Sequence, residues 1–194
     1  YDYQLSVVRT AQLGDTPEFA VEPVPGFAPN VTLFPHQSAS ASQIIQLGNF
    51  AEFSVPGAGK TCTILSAFAH WRNRGEVQKL LVIGPISSFR PWEEEILRCF
   101  ETTQNVLRWT GSSAVRVKLV SQYQNADIIL CSYDTARNDI EMLCGQLRIV
   151  PTAVVLDESH YIKNFNIGAR GRAALRLSEH ATKRVIATGT PSPH

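Results

Sequence analysis

Two short stretches carry the residue types from which a phosphoryl-transfer site can be built. Residues 53–61 read Phe-Ser-Val-Pro-Gly-Ala-Gly-Lys-Thr. Gly57 and Gly59 let backbone N–H groups curl around phosphate oxygens, Lys60 reaches β and γ phosphates, and the Thr61 hydroxyl suits a magnesium ion. Pro56, Gly57, Ala58, Gly59, Lys60, Thr61 and Cys62 thus form the candidate nucleotide-binding run. The complete phosphate-loop pattern wants another glycine where Ser54 stands, and Pro56 takes away one backbone donor. On its own the run reads equally well as a strand-to-helix turn with a solvated lysine. The second stretch, residues 152–158, is Thr-Ala-Val-Val-Leu-Asp-Glu. It brings two carboxylates to the carboxyl end of an apolar strand, where open α/β sheets bind ligands. Chemistry would divide them, with Asp157 holding the metal and Glu158 orienting and deprotonating a water. An acidic loop is the plain reading of the pair alone, and the Lys60 loop upstream takes most of the weight from it.

Such groups meet only if their strands end along one edge of a sheet, and the sequence pattern supplies those strands. Strands are predicted at 49–55, 79–84, 105–109, 126–132, 153–157 and 184–188. The runs KLLVIGP, ADIILCSY and TAVVLDES are almost continuously apolar, as strands covered on both faces must be. Helices are predicted between them at 37–47, 60–74, 88–99, 112–122, 135–147 and 168–177. This alternation announces an α/β domain over residues 33–194, with a mostly parallel central sheet and helices on both faces. Residues 1–32, broken by Pro17, Pro23, Pro25, Gly26 and Pro29, read as an entry segment with a short strand near residues 5–9.

The bulk numbers exclude little. In 194 residues, 44% are hydrophobic and 18% charged, an ordinary globular balance with room for one substantial core. A net charge of +1 argues neither for nor against nucleic acid, since a basic groove can hide in a neutral total. The four cysteines, Cys62, Cys99, Cys131 and Cys144, are far apart in sequence and sit in apolar segments, which predicts buried, reduced thiols rather than a zinc site or disulfide framework. No apolar run has membrane-spanning length and the first residues lack the order of a secretory signal, so no membrane partner is expected. The chain opens on Tyr1 rather than Met, as a processed or trimmed piece would.

The string Asp-Glu-Ser-His at 157–160 resembles the DEAD/DEAH-type box of superfamily-two helicases and translocases. Six segments, in order, are similar to motifs of that superfamily's Swi/Snf-type branch. LFPHQ resembles its Q motif, VPGAGKT its phosphate loop, LLVIGPISSFRPWEEEI its motif Ia, ADIILCSYDTA its motif Ic, DESHYIKN its extended motif II and VIATGTPSPH its motif III. Lys163-Asn164 and Trp92 favour this branch over the DEAD-box RNA helicases. Many members carry an acidic-Met-Gly-Leu-Gly-Lys-Thr loop and an Asn where His194 stands; these departures suggest a divergent bacterial or viral relative.

The resemblance implies a RecA-like P-loop NTPase lobe that uses ATP and Mg2+ and works on double-stranded DNA. It assigns the adenine edge to Gln37, catalytic duties to Lys60, Asp157, Glu158 and His160, and the metal to Thr61 and Asp157. His160 would couple the γ-phosphate to Thr188, Gly189, Thr190 and Pro191. The family's motor has two such lobes with ATP between them and an arginine supplied by the second. A chain ending just after motif III is then expected to be the first lobe, turning over little ATP alone, with the second lobe of the full-length protein as its partner. DNA phosphates would meet Ser87, Ser88 and Arg90 after strand 79–84, Ser132 and Tyr133 after strand 126–132, and Lys163. Each serine is equally suited to cap a helix. Arg170, Arg172 and Arg176 read as a solvated helix surface, and Trp71, Trp92 and Trp109 as packing. Rival readings are a translocase of a restriction or antiviral-defence system, a nucleotide-gated DNA-binding module that does not move, and a small-substrate P-loop kinase. The compartment would be cytoplasmic for a bacterial or viral relative and nuclear for a eukaryotic one.

Overall fold

The computed structural model describes residues 25–159 and 168–189. Most of the entry segment, including the strand expected near residues 5–9, lies outside them. Strands β1 (Asn49–Glu52), β2 (Lys79–Gly84), β3 (Val106–Trp109), β4 (Ile128–Ser132), β5 (Thr152–Asp157) and β6 (Lys183–Ala187) form one sheet in the order β1-β6-β5-β2-β4-β3. Every pairing in it is parallel.

Alternation along the strands decides which side chain enters which layer. Leu80 and Val82 of β2, Ile128 and Leu130 of β4, and Ala153 and Val155 of β5 join one core. Their neighbours Leu81, Ile83, Ile129, Cys131, Val154 and Leu156 join the other. A strand with period-two side chains and a core on each face has no position left for polar residues, which is why these segments read as unbroken apolar runs. Each fully buried Leu or Ile contributes about 1.5–3 kcal/mol of transfer free energy. The first core is closed by α1 (Pro35–Leu47), α2 (Lys60–Asn73) and α3 (Phe89–Cys99), through Ile44, Leu65, Phe68, Trp71, Trp92 and Ile96. The second is closed by α4 (Ser113–Asn125), α5 (Tyr133–Asn138), α6 (Ile140–Ile149) and α7 (Ala169–His180), through Tyr123, Ala136, Leu143, Leu147 and Leu177.

Two departures from the sequence expectation have local causes. The helix expected over 135–147 is broken at Asp139, whose backbone leaves helical geometry (φ −108°, ψ 23°). Its carboxylate is held by the Trp109 indole at 2.8 Å and by a two-pronged pair with Arg116, so tertiary partners fix a turn the local sequence does not signal. The first strand, expected to run to Val55, stops at Glu52. There the Glu52 carboxylate turns back to accept the Ser54 N–H at 3.0 Å and the chain leaves the sheet, beginning the loop that follows. Arg170 and Arg176 are also less free than a solvated surface would leave them. They pair with Asp134 and Glu141 and fasten α7 to α5 and α6.

Candidate nucleotide site

Parallel strands bring all their carboxyl ends to one edge, and there the two chemical stretches meet. A cleft of about 560 Å³ is lined by Pro56, Gly57, Gly59, Lys60 and Thr61 from the loop after β1, and by Asp157 and Glu158 from the end of β5. Ser87 and Ser88, in a short 3-10 turn after β2, and Trp92 and Glu95 of α3 also line it.

The loop is shaped by backbone conformations that side chains resist. Gly57 and Gly59 have φ of +82° and +79°. A Cβ on Gly57 would meet nothing within 4 Å, leaving the crown of the loop open, whereas one on Gly59 would fall 2.0 Å from Gln37 Nε2. Gly59 in its left-handed conformation starts α2 with no side-chain cap, so the helix presents uncapped first-turn N–H groups and the positive end of its dipole. Lys60 Nζ donates to the Ser54 and Val55 carbonyls at 2.8 and 3.1 Å, which holds the ammonium at the loop.

Asp157 is braced from several sides. Its Oδ2 accepts the Trp92 indole N–H at 2.9 Å and its Oδ1 accepts the Glu158 N–H at 3.0 Å, while the neighbouring Ser88 hydroxyl donates to the Pro85 carbonyl at 2.9 Å. Its carbonyl oxygen accepts the Tyr133 hydroxyl at 2.8 Å. Burial raises the Asp157 pKa above the usual carboxylate value and the Glu158 charge acts in the same direction, against the hydrogen bonds from the Trp92 indole and the Glu158 N–H. Glu158 itself takes φ +50°, a conformation rare for a residue with a side chain and one that collects at functional sites.

The donor set fits a nucleoside triphosphate with magnesium. Ammonium and helix N-terminus suit phosphate, while a hydroxyl and a carboxylate are the hard oxygen ligands that magnesium takes beside phosphate. The cleft volume falls in the usual range for small-ligand sites, about 300–1,000 Å³.

Comparison with known proteins identifies the family. A family model described as the SNF2-related domain matches residues 54–194. The chain belongs to that family. A TATA-binding protein-associated factor, mot1 of Aspergillus fumigatus, is 36% identical over 147 residues, covering 70% of this chain and 7% of the relative. The ATP-dependent DNA helicase DDM1 of Arabidopsis thaliana is 30% identical over 144 residues, covering 70% of this chain and 18% of the relative. The chain therefore spans less than a fifth of either relative's length. The SWI2/SNF2 ATPase core of Sulfolobus solfataricus, solved in complex with double-stranded DNA, superposes with a TM-score of 0.70 at 26% identity, over 89% of this chain and 34% of that one. The fold is the RecA-like lobe of such a core, and the expected fold class holds.

Within this SNF2-related domain the expected site residues fall into three groups. Pro56, Gly57, Gly59, Lys60, Thr61, Ser87, Ser88, Asp157 and Glu158 share the cleft. Others stand beside it. Gln37 spends its amide on structure, with Oε1 accepting the Phe34 N–H at 2.9 Å and Nε2 donating to the Ala58 carbonyl at 2.9 Å. The Cys62 side chain is buried against Cys99 rather than lining the cleft. Arg90 points outward in an ion pair with Glu94. Ser132 caps α5, accepting the Thr135 N–H, and Tyr133 is buried. Thr188 and Gly189 follow β6; the Thr188 N–H bonds to the Glu52 carbonyl at 3.1 Å, and a Cβ on Gly189 would come within 2.7 Å of the Pro56 ring. His160, Lys163, Thr190 and Pro191 lie outside the described residues.

Sequence reasoning missed Trp92 as a partner of Asp157. All three tryptophans are buried as expected, but each indole N–H also has an acceptor: Ile45 O for Trp71, Asp139 for Trp109, Asp157 for Trp92. The available signal was general, since a buried indole needs a hydrogen-bond partner.

Proposed function

We propose that the domain binds ATP with Mg2+ and hydrolyses it in the service of movement along double-stranded DNA, working with a second RecA-like lobe. One observation carries the reading: Lys60 and Thr61 share a single cleft with Asp157 and Glu158. Lys60 and the α2 N-terminus neutralise phosphate charge. Thr61 and Asp157 would hold the magnesium ion, which would supply positive charge to offset that of the phosphates. The Trp92 indole and the Glu158 N–H keep the Asp157 carboxylate pointed at that place. Glu158 orients a water and accepts its proton. Catalysis of this kind is mainly positioning and charge stabilisation. Adenine reading by Gln37 requires its amide to release either Phe34 or Ala58.

Packing of Gly189 on Pro56 gives the loop a direct mechanical contact with the segment after β6, suited to passing the state of the phosphate site onward. His160, Thr190 and Pro191 extend that coupling, and Lys163 with the exposed Ser87 and Arg90 supplies DNA phosphate contacts. The double-stranded DNA bound by the Sulfolobus core supports this choice of track. Relatives among eukaryotic TATA-binding protein-associated factors favour the nucleus if the host is eukaryotic, and the expected bacterial or viral origin gains nothing from them. Among the described residues no helix is long and apolar enough to cross a membrane.

The test uses the full-length protein. Duplex DNA should stimulate ATP hydrolysis, ATP should drive displacement of a triplex-forming strand, and Glu158→Gln should keep nucleotide binding while losing both by at least about a hundredfold. DNA-stimulated hydrolysis without displacement would leave a nucleotide-gated clamp as the better reading.

A further inference from the structure

Cys62, Glu95 and Cys99 take no part in the phosphate chemistry, yet the fold gathers them directly behind it. Cys62 lies in the first turn of α2 and Cys99 ends α3. Their sulfurs stand 3.4 Å apart. A Glu95 carboxylate oxygen joins them, all three donor atoms lying within 4.8 Å of one another. Both thiols are free and closed to solvent, at 1% and 0% exposure. Glu95 also lines the nucleotide cleft.

We propose that Cys62, Cys99 and Glu95 form a binding site for a thiophilic divalent cation of the zinc class. Two thiolates bound tetrahedrally at about 2.3 Å from zinc stand roughly 3.8 Å apart. The observed 3.4 Å needs only a slight opening. A disulfide would need the sulfurs to close to about 2.05 Å, a larger shift between two packed helices. Glu95 already accepts from Arg98, at 3.0 Å from Nε to Oε2 and in a second contact to Oε1. A carboxylate has about four lone-pair positions on its two oxygens, so it can hold the guanidinium and a cation together.

Charge balance supports the same occupant. Two thiolates and one carboxylate carry three negative charges, and Arg98 with a dication supplies three positive ones. On entry the cation replaces the two thiol protons, which leave to solvent, and forms two metal–sulfur bonds with no change in oxidation state. Three protein donors leave a fourth position for water, as in other three-ligand zinc sites. Magnesium, which prefers oxygen, does not compete for the sulfurs, so a hard cation in the cleft and a soft one behind it are separated by ligand chemistry. A cation held here would tie the turn that carries Lys60 and Thr61 to the helix that carries Trp92.

Cadmium is a suitable probe, because its thiolates show an ultraviolet sulfur-to-metal charge-transfer band. Full-length protein, reduced and free of nucleotide, is titrated with Cd2+, and Zn2+ is then added in competition. One high-affinity Cd2+ per domain with the band is expected, displaced by Zn2+. Cys99→Ser should abolish the band, Glu95→Gln should weaken affinity about tenfold or more, and Cys144→Ser should change neither. Glu95 is partly exposed, so Glu95→Gln keeps the test decisive if Cys99→Ser fails to fold. Absence of the band, a band unchanged in both Glu95→Gln and Cys99→Ser, or a mass two hydrogens short from a Cys62–Cys99 disulfide would overturn the proposal. No nucleotide enters the measurement, so its failure would leave the ATP reading standing.

Discussion

Replacing Trp92 by Phe isolates one hydrogen bond at the centre of the site. The change keeps an aromatic ring in a position that is 2% exposed but deletes the N–H that reaches Asp157 Oδ2 at 2.9 Å. A hydrogen bond to a charged group is worth about 1.5–3 kcal/mol. If that energy goes into holding Asp157 for magnesium, its loss raises the Mg2+ concentration for half-maximal nucleotide binding by roughly tenfold to a hundredfold, at about 1.4 kcal/mol per decade. Smaller ring volume also leaves a void, which lowers thermal stability by a separate route. The two effects divide by assay. Magnesium titration of nucleotide binding by the full-length protein reads the first, and thermal unfolding without nucleotide reads the second. A Trp92→Phe protein with lowered Tm and unchanged Mg2+ requirement would refute the argument and leave the indole as packing alone.

Gly59→Ala should be the more damaging of the two loop-glycine changes to folding, since its Cβ, 2.0 Å from Gln37 Nε2, would push that amide off the Ala58 carbonyl in addition to straining φ. Gly57→Ala meets open space and should cost only about 1–2 kcal/mol of backbone strain while still weakening nucleotide binding; comparable unfolding midpoints for the two would contradict the close packing on Gln37. Asp139→Asn leaves the buried Arg116 uncompensated and should cost about 3–5 kcal/mol in denaturant unfolding. Hydrogen bonds from Arg116 and Trp109 outweigh burial and hold the Asp139 pKa below its usual value. Its contribution is therefore complete above the unfolded value of about 3.9 and fades as pH falls through the folded one. Asp139→Asn should flatten the acid side of the stability profile, and an unaltered acid slope would refute that assignment.

What could be read from the sequence was set by burial and local backbone chemistry. Strands such as Leu80 to Ile83 show themselves because both faces are buried. Lys60-Thr61 and Asp157-Glu158 were legible because each follows a strand, and parallel strands must deliver both to one edge. Contacts that close only in space were hidden. Trp92 and Asp157 are 65 residues apart, Cys62 and Cys99 37 apart, and nothing local to either partner specifies the other. The break at Asp139 was hidden for the same reason, because its cause lies in Trp109 and Arg116 on other elements. Gln37 shows the opposite limit: its motif was visible, but the backbone groups that claim its amide were not.

In the proposed function Lys60 and Asp157 act upon one bound nucleotide. Titration of the full-length protein with a fluorescent ATP analogue, with and without Mg2+, tests this most directly when the parent is compared with Lys60→Ala and Asp157→Asn. Lys60→Ala should weaken binding under both conditions, and Asp157→Asn should remove the gain that Mg2+ confers while leaving metal-free binding near that of the parent. Parent-like affinity and an intact Mg2+ effect in both variants would contradict the shared site.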